Sequence, residues 1–298
     1  MNKSISGRLT WPAVLLAVCT LLLVFGVTSC TTQKAEAKRM VVAVSILPQS
    51  GFVEAVGGDK VETVVMVPPG ADPHTYEVTP DQMVKLSQAK MYAKVGSPLE
   101  FELAWLDKLI AANPNMLVVD CSTGTELMAN PDPDEPGNED PHIWLSVKNA
   151  EIMVRNICAG LVQVDPANQT YYEKNRDSYL EELTQLDGDI MEGLASVSNR
   201  SFIVFHPAFG YFARDYGLTQ IAVEQGGKEP SADYIVRLIE QAREQNIRVV
   251  FVSPEFDTKS AGVIAKEIGG RVVIIDPLAK DFVSNMRTVE SAMREAMQ

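Results

Sequence analysis

The chain has 298 residues, of which 46% are hydrophobic and 22% charged, and a formal net charge of −13. That length can bury a substantial core in one large or two ordinary α/β domains. The acidic balance argues against nucleic-acid binding, which needs a basic surface to displace counterions from phosphates; it favours cations near the surface instead.

Residues 1–29 have the layout of a secretory signal, and residues 30–39 that of a tether. Lys3 and Arg8 give a positive start, and Trp11–Val27 is an apolar stretch of seventeen residues interrupted by Thr20 and Gly26. Val27-Thr28-Ser29-Cys30 resembles a bacterial lipobox, which implies cleavage before Cys30 and lipidation of that residue. Two or more acyl chains hold a protein on a membrane stably where one is marginal, so the rest can be an ordinary soluble fold. An uncleaved membrane anchor is the alternative, because the stretch is near the lower limit for spanning a bilayer. Either way the domain faces outward. Loss of Lys3 and Arg8 would bring the charge to −15. Thr31–Arg39 is short, polar and without hydrophobic period, as a flexible tether is.

From Met40 strand-like and helical pieces alternate. Met40–Leu47 is a continuous apolar run ended by Pro48, as expected of a strand buried on both faces. Helices are expected at 49–57, 80–88 and 99–112, and strands at 60–67, 91–95 and 117–119. Asn130–Asp140 is rich in proline, glycine and acidic residues and predicts a surface loop. A helix at 147–164 follows. A longer one begins behind Asp165-Pro166, with Tyr172, Tyr179, Leu183, Leu186, Ile190 and Leu194 on one face. The alternation resumes with strands at 201–205, 220–223, 247–253 and 271–275 and helices at 211–215, 231–245 and 259–268. Strands and helices at this spacing argue for parallel sheets. The predicted fold is α/β, with doubly wound lobes at 40–165 and 199–298 joined by a linker helix at 166–198. Cys121 and Cys158 are expected as separate buried thiols rather than a disulfide or a thiolate metal site.

The chain has three histidines, and each abuts a proline: Asp72-Pro73-His74, Asp140-Pro141-His142 and His206-Pro207. All three fall at element ends, where parallel sheets build their sites. Neutral imidazole is the commonest metal ligand, and a neighbouring proline reduces the backbone freedom that binding must remove. Tetrahedral zinc bound for keeping closes its coordination shell with a fourth group. Asp276, after the apolar Val272–Ile275 and before Pro277, is the candidate, with a turn or cap role as its alternative. The four positions are 68, 64 and 70 residues apart, two in each lobe.

Several stretches together resemble the zinc and manganese class (cluster A-I, ZnuA/TroA-like) of ABC-transporter solute-binding proteins. They are Pro68–Glu77, Asp140–Leu145, His206–Phe212, Glu229–Ala232 and Ile275–Leu278. The resemblance covers Met40 to the end. It implies two α/β lobes on a rigid backbone helix and a cation between them held by His74, His142, His206 and Asp276, with Glu77 supporting His74. It also implies an extracytoplasmic lipoprotein that is monomeric and hands its metal to a cognate permease and ATPase. The rigid helix would limit hinge motion, so release would involve local ligand movements. Two departures stand out. Asn130–Asp140 lacks the histidines that zinc-specific members often carry before the second ligand, and Ser253 stands where many relatives have glutamate ahead of proline. Three imidazoles and one carboxylate suit zinc, and manganese, which prefers more oxygen, is the alternative. A zinc hydrolase would need an open fourth position, and no His-Glu-x-x-His stretch is present. An adhesin role would need an exposed apolar patch outside the cleft.

Overall fold

The computed structural model describes residues 39–130, 138–224, 227–256 and 259–298. The signal, Cys30 and nearly all of the tether lie outside them, as does most of the acidic loop. Residues 39–298 form one compact unit.

The first half contains β1 (Met40–Val44), α1 (Leu47–Gly57), β2 (Val61–Val65), α2 (Pro80–Leu86), β3 (Met91–Lys94), α3 (Glu100–Ala112), β4 (Leu117–Asp120) and α4 (Val147–Val164). All its strands pair in parallel, in the order β2-β1-β3-β4. Beyond α5 (Gln169–Ala195) come β5 (Ser201–Val204), α6 (Gly210–Tyr216), β6 (Thr219–Ala222), α7 (Ala232–Glu244), β7 (Val249–Val252), α8 (Lys259–Glu267), β8 (Arg271–Ile274) and α9 (Phe282–Ala296). The second sheet has the same parallel topology, β6-β5-β7-β8. The predicted two-lobed α/β architecture is therefore present, and the chain order reverses direction at β1/β3 and again at β5/β7, the places where open parallel sheets gather ligand-binding loops.

Alternate residues of the second sheet serve two cores, as the two-residue period of a strand requires. Phe202, Val204, Val249 and Phe251 join the large cluster shared with the first half. Ile203, Phe205, Val250 and Val252 pack instead against Leu238, Ala242 and Ile264 of α7 and α8.

Helix α5 follows a short 3-10 turn at Pro166–Asn168 and runs for 27 residues, about 40 Å at 1.5 Å per residue. Tyr172, Leu180, Leu183, Leu186, Ile190 and Leu194 are buried along it. This stripe contacts α1 and α4 on one side of the chain and α9 on the other. The predicted face is correct except at Tyr179, which is half-buried, while Leu180 takes the buried place.

Two local expectations need correction. Pro48 does not end a strand but sits in the first turn of α1, where its missing N–H is no loss. Helix α9 was not anticipated. Asp281 starts it by accepting a hydrogen bond from the Ser284 N–H, and Phe282, Val283, Met286, Val289 and Met293 form its buried stripe.

The halves are stitched at several points. Phe52 of α1 meets Phe282 of α9 edge-on, with ring centroids 5.2 Å apart. Trp144 Nε1 donates to the Pro277 carbonyl at 2.8 Å, and Lys280 Nζ donates to Glu54 at 2.8 Å. At Gly51 a Cβ would lie 2.2 Å from the Lys280 carbonyl oxygen, so this approach requires glycine. Cys121 and Cys158 are both buried and free. No helix among the described residues is long and apolar enough to cross a membrane.

Candidate metal centre

Each Asp-Pro-His stretch folds into the same turn. Asp72 Oδ1 accepts from the His74 N–H at 2.9 Å, and Asp140 Oδ1 accepts from the His142 N–H at 2.9 Å. An aspartate that bonds the backbone two residues on, with proline fixing the residue between, defines the direction in which the third residue leaves the chain. His74 is thereby placed in the loop that follows β2, and His142 in the loop that follows β4. His206 arrives differently: the pairing of β5 with β6 continues past the strand ends, the Glu224 N–H donating to the Phe205 carbonyl at 2.9 Å. His206 and Glu224 therefore leave adjacent parallel strands side by side.

The three imidazoles converge. Ring centroids are 5.5 Å apart for His74 and His142, 4.7 Å for His74 and His206, and 5.0 Å for His142 and His206. One ligand nitrogen from each lies within 4.8 Å of the others. The Nε2 atoms of His142 and His206 are 3.1 Å apart. Two nitrogens about 2.0–2.1 Å from one tetrahedral zinc would be separated by roughly 3.3 Å, so these rings already have nearly the spacing of two ligands on one ion.

Every Nδ1 has a carboxylate. His74 Nδ1 is 2.7 Å from Glu100 Oε2, His142 Nδ1 is 2.8 Å from Asp140 Oδ1, and His206 Nδ1 is 2.7 Å from Glu224 Oε2. A neutral imidazole that donates from Nδ1 keeps its Nε2 lone pair for a metal, and the carboxylate both orients the ring and raises its basicity. Side-chain exposure is 6% for His142, 11% for His206 and 20% for His74, which puts His74 at the mouth. Phe256 stacks on His206 with centroids 4.9 Å apart, and Trp144 lies 5.3 Å from His142.

The rings differ in their hold on a proton. At His74 burial opposes protonation, but the hydrogen bond and charge of Glu100 outweigh it and hold the imidazole above its ordinary range. Burial would raise the Glu100 carboxyl, yet its bond to His74 keeps it below the usual carboxylate range. Burial pushes His206 down to about 4, the Glu224 hydrogen bond opposing and the charges of the other two rings adding to the fall.

Two expected site residues lie outside the set of groups that already converge. Glu77 is exposed, and the carboxylate that steadies His74 belongs to Glu100, the first residue of α3. Asp276 is not among the groups whose ligand atoms converge. Its Oδ1 accepts from the Leu278 N–H at 2.7 Å, closing an Asp-Pro-Leu turn of the same kind as the two Asp-Pro-His turns. Asp276 Oδ1 thus occupies the capping place that Asp72 Oδ1 and Asp140 Oδ1 hold in their turns. Sequence reasoning missed Glu100, Glu224 and the ring of Phe256. It quoted Asp140 without giving it a role.

Fold and cleft together define a two-lobed, cation-binding protein of the solute-binding type. The family model described as "ZnuA: Zinc-uptake complex component A periplasmic" matches residues 42–296, and the chain belongs to that family. It is 28% identical over 277 residues to the high-affinity zinc uptake system protein ZnuA of Bacillus subtilis (strain 168), covering 88% of this chain and 86% of that one. It is 29% identical over 273 residues to the manganese ABC transporter substrate-binding lipoprotein PsaA of Streptococcus pneumoniae, covering 87% and 88%. Among solved structures, a crystal structure of ZnuA superimposes with a TM-score of 0.84 at 42% identity, covering 88% of this chain and all of the other. A zinc-bound deletion variant of ZnuA gives 0.83 at 42% identity, covering 88% and 99%. The family is a substrate-binding component of metal importers and not an enzyme family.

Proposed function

We propose that this protein captures a divalent cation outside the cytoplasm, with zinc as its cargo, and delivers it to an ABC importer. The observation that carries this reading is the set of three imidazoles whose Nδ1 atoms are each engaged by a carboxylate, while ligand nitrogens gather within 4.8 Å. Such a donor set suits a borderline cation better than a hard one. His74, His142 and His206 are the ligands in this reading. The zinc-uptake and manganese-transport names of the relatives support delivery to a permease and ATPase. The lipoprotein names of PsaA and of SsaB from Streptococcus sanguinis support lipidation at Cys30 and a membrane anchor. The delivering species is a monomer in this reading.

Manganese is the second reading, favoured by the oxygen-bearing side chains of Asp72 and Glu255 on the cavity beside the imidazoles. The test is native mass spectrometry with elemental analysis of protein purified without added metal, followed by competitive titration with both ions. One zinc per chain and tighter binding of zinc are expected. Preferential retention of manganese would reverse the assignment, and failure to bind either ion would sink the function.

A further inference from the structure

Glu102 is a buried acidic residue, 5% exposed, that takes no part in the site described above. It belongs to the first turn of α3, two residues beyond Glu100. Its Oε1 accepts from the Val95 N–H at 2.5 Å and from the Ser45 hydroxyl, and its Oε2 accepts from the Gly96 N–H at 3.0 Å. Behind it the Ser45 and Tyr92 hydroxyls are 2.9 Å apart. Gln49 ties the two strand ends together, accepting from the Ser45 N–H at 3.1 Å and donating to the Ala93 carbonyl at 3.1 Å. Ser45 follows β1 and Val95 follows β3, the neighbouring strands where the first sheet changes direction. An open parallel sheet ordinarily takes a ligand in that crevice; here the chain's own carboxylate fills it. A buried carboxylate is tolerated where donors meet both of its oxygens, and charge-assisted bonds of this kind are among the stronger ones in a fold.

The loop that Glu102 holds, residues 95–99, reaches both ligand turns of the first half. Just past its end Glu100 Oε2 lies 2.7 Å from His74 Nδ1. In its middle Ser97 Oγ donates to the Pro141 carbonyl at 2.5 Å, inside the Asp140-Pro141-His142 turn. Leu99, at the N-cap position of α3, makes no side-chain capping bond, and the bonds of Glu102 tie the first turn back onto the loop. We propose that Glu102 is a positioning residue for cation capture, fixing the loop through which Glu100 aims His74 and Ser97 aims the turn of His142. The proposal rests on the cation-binding reading above and gives Glu102 no bond to the cation, since it is not among the converging groups. Glutamine in its place would keep the shape but turn an amide NH2 toward a donor that now meets an oxygen. That donor would lose its acceptor inside the protein, and the loop would shift.

The test uses the full-length protein. Zinc affinity is read by competition with a chromophoric chelator, cobalt(II) absorption reports the geometry of the imidazoles, and metal-free melting temperatures check that each variant folds. Glu102→Gln should weaken zinc binding about tenfold and alter the cobalt spectrum. In a Glu100→Gln/Ser97→Ala background the loop has lost both of its routes to the imidazoles. There the same substitution should cost less than about threefold, because residues that act through shared partners are not additive. Ser45→Ala removes one donor and leaves both backbone N–H groups in place; it should repeat the pattern at smaller amplitude, and it decides the matter if Glu102→Gln does not fold. Equal fold-losses in the two backgrounds, or a lower melting temperature with parent-like affinity and cobalt spectrum, would reduce Glu102 to a purely structural role and overturn the proposal. Absence of zinc binding by the unsubstituted protein would instead overturn the cation-binding reading on which the proposal rests.

Discussion

One oxygen of Asp140 serves His142 twice: Oδ1 accepts from the backbone N–H at 2.9 Å and from ring Nδ1 at 2.8 Å. The turn and the imidazole are thus fixed by the same atom, and the ring cannot rotate without disturbing the loop. The other oxygen, Oδ2, is buried without a hydrogen-bond partner among the described residues. It faces Gly210, where an added Cβ would approach it to 2.5 Å.

Gly210→Ala should therefore displace Asp140 and misaim His142 without touching a ligand. Zinc affinity should drop about 10–100-fold, the range seen when the partner of a ligating histidine is lost. Chelator competition checks this, and parent-like affinity would show that the loop absorbs the methyl group.

The carboxylates at His74 can be told apart by substitution. Glu100→Gln should weaken zinc binding about tenfold or more, while Glu77→Gln should leave it within about twofold, because Glu100 is hydrogen-bonded to the ring and Glu77 is exposed. The reverse ranking, measured by isothermal titration, would contradict the assignment.

Acid should weaken capture in a defined order. A proton on imidazole excludes the metal, and His74 binds its proton above the ordinary histidine value of about 6.5. Affinity should begin to fall above pH 6.5 on acidification, and Glu100→Gln should move that onset downward. His206, held near 4, should not compete until the solution is far more acidic. A constant zinc affinity between pH 8 and pH 5 would rule out histidine ligation.

His206 also affects the metal-free fold. Its folded value is depressed below the unfolded one, so the unfolded chain takes up more protons as pH falls from 6.5 toward 4. Stability should decline through that window, by an amount on the order of 3 kcal/mol at its lower end. His74, with a raised value, contributes in the opposite sense: its stabilisation is complete below 6.5 and is lost as pH rises through its folded value. Chemical denaturation of His206→Gln should show a flatter acid limb than the parent.

Zinc itself should stabilise the fold. At about a hundred times its dissociation constant it adds roughly 2.7 kcal/mol, or some 5–10 °C in melting temperature for a chain of this size. His206→Ala should lose most of that shift.

The architecture was legible because parallel strands buried on both faces read as short apolar runs, such as Val249–Val252, while the helices between them keep their period. The histidines were legible because proline marked each of them at an element end. Two of their three carboxylates were not. Glu100 lies 26 residues from His74, and Glu224 lies 18 from His206, so each pair is made by tertiary structure with no local pattern to announce it. Asp276 carries a local signal as well, in the turn it forms. In Asp72-Pro73-His74, Asp140-Pro141-His142 and Asp276-Pro277-Leu278 the aspartate bonds the backbone N–H two residues on. The third residue of each turn lines the same cavity, and in the last turn it is leucine. Helix α9 was equally readable, from an aspartate start and apolar residues at 282, 283, 286, 289 and 293, but methionines make a weaker hydrophobic signature than leucines or valines.

The contact of Gly51 with the Lys280 carbonyl, the Trp144 bond to Pro277 and the shared stripe of α5 would all have to yield for the cleft to open widely. Traffic through such a site is decided at its doorway. His74 is the outermost ring, carried on a single turn and held by Glu100, so the pace at which cargo comes and goes would be set by that turn and that carboxylate.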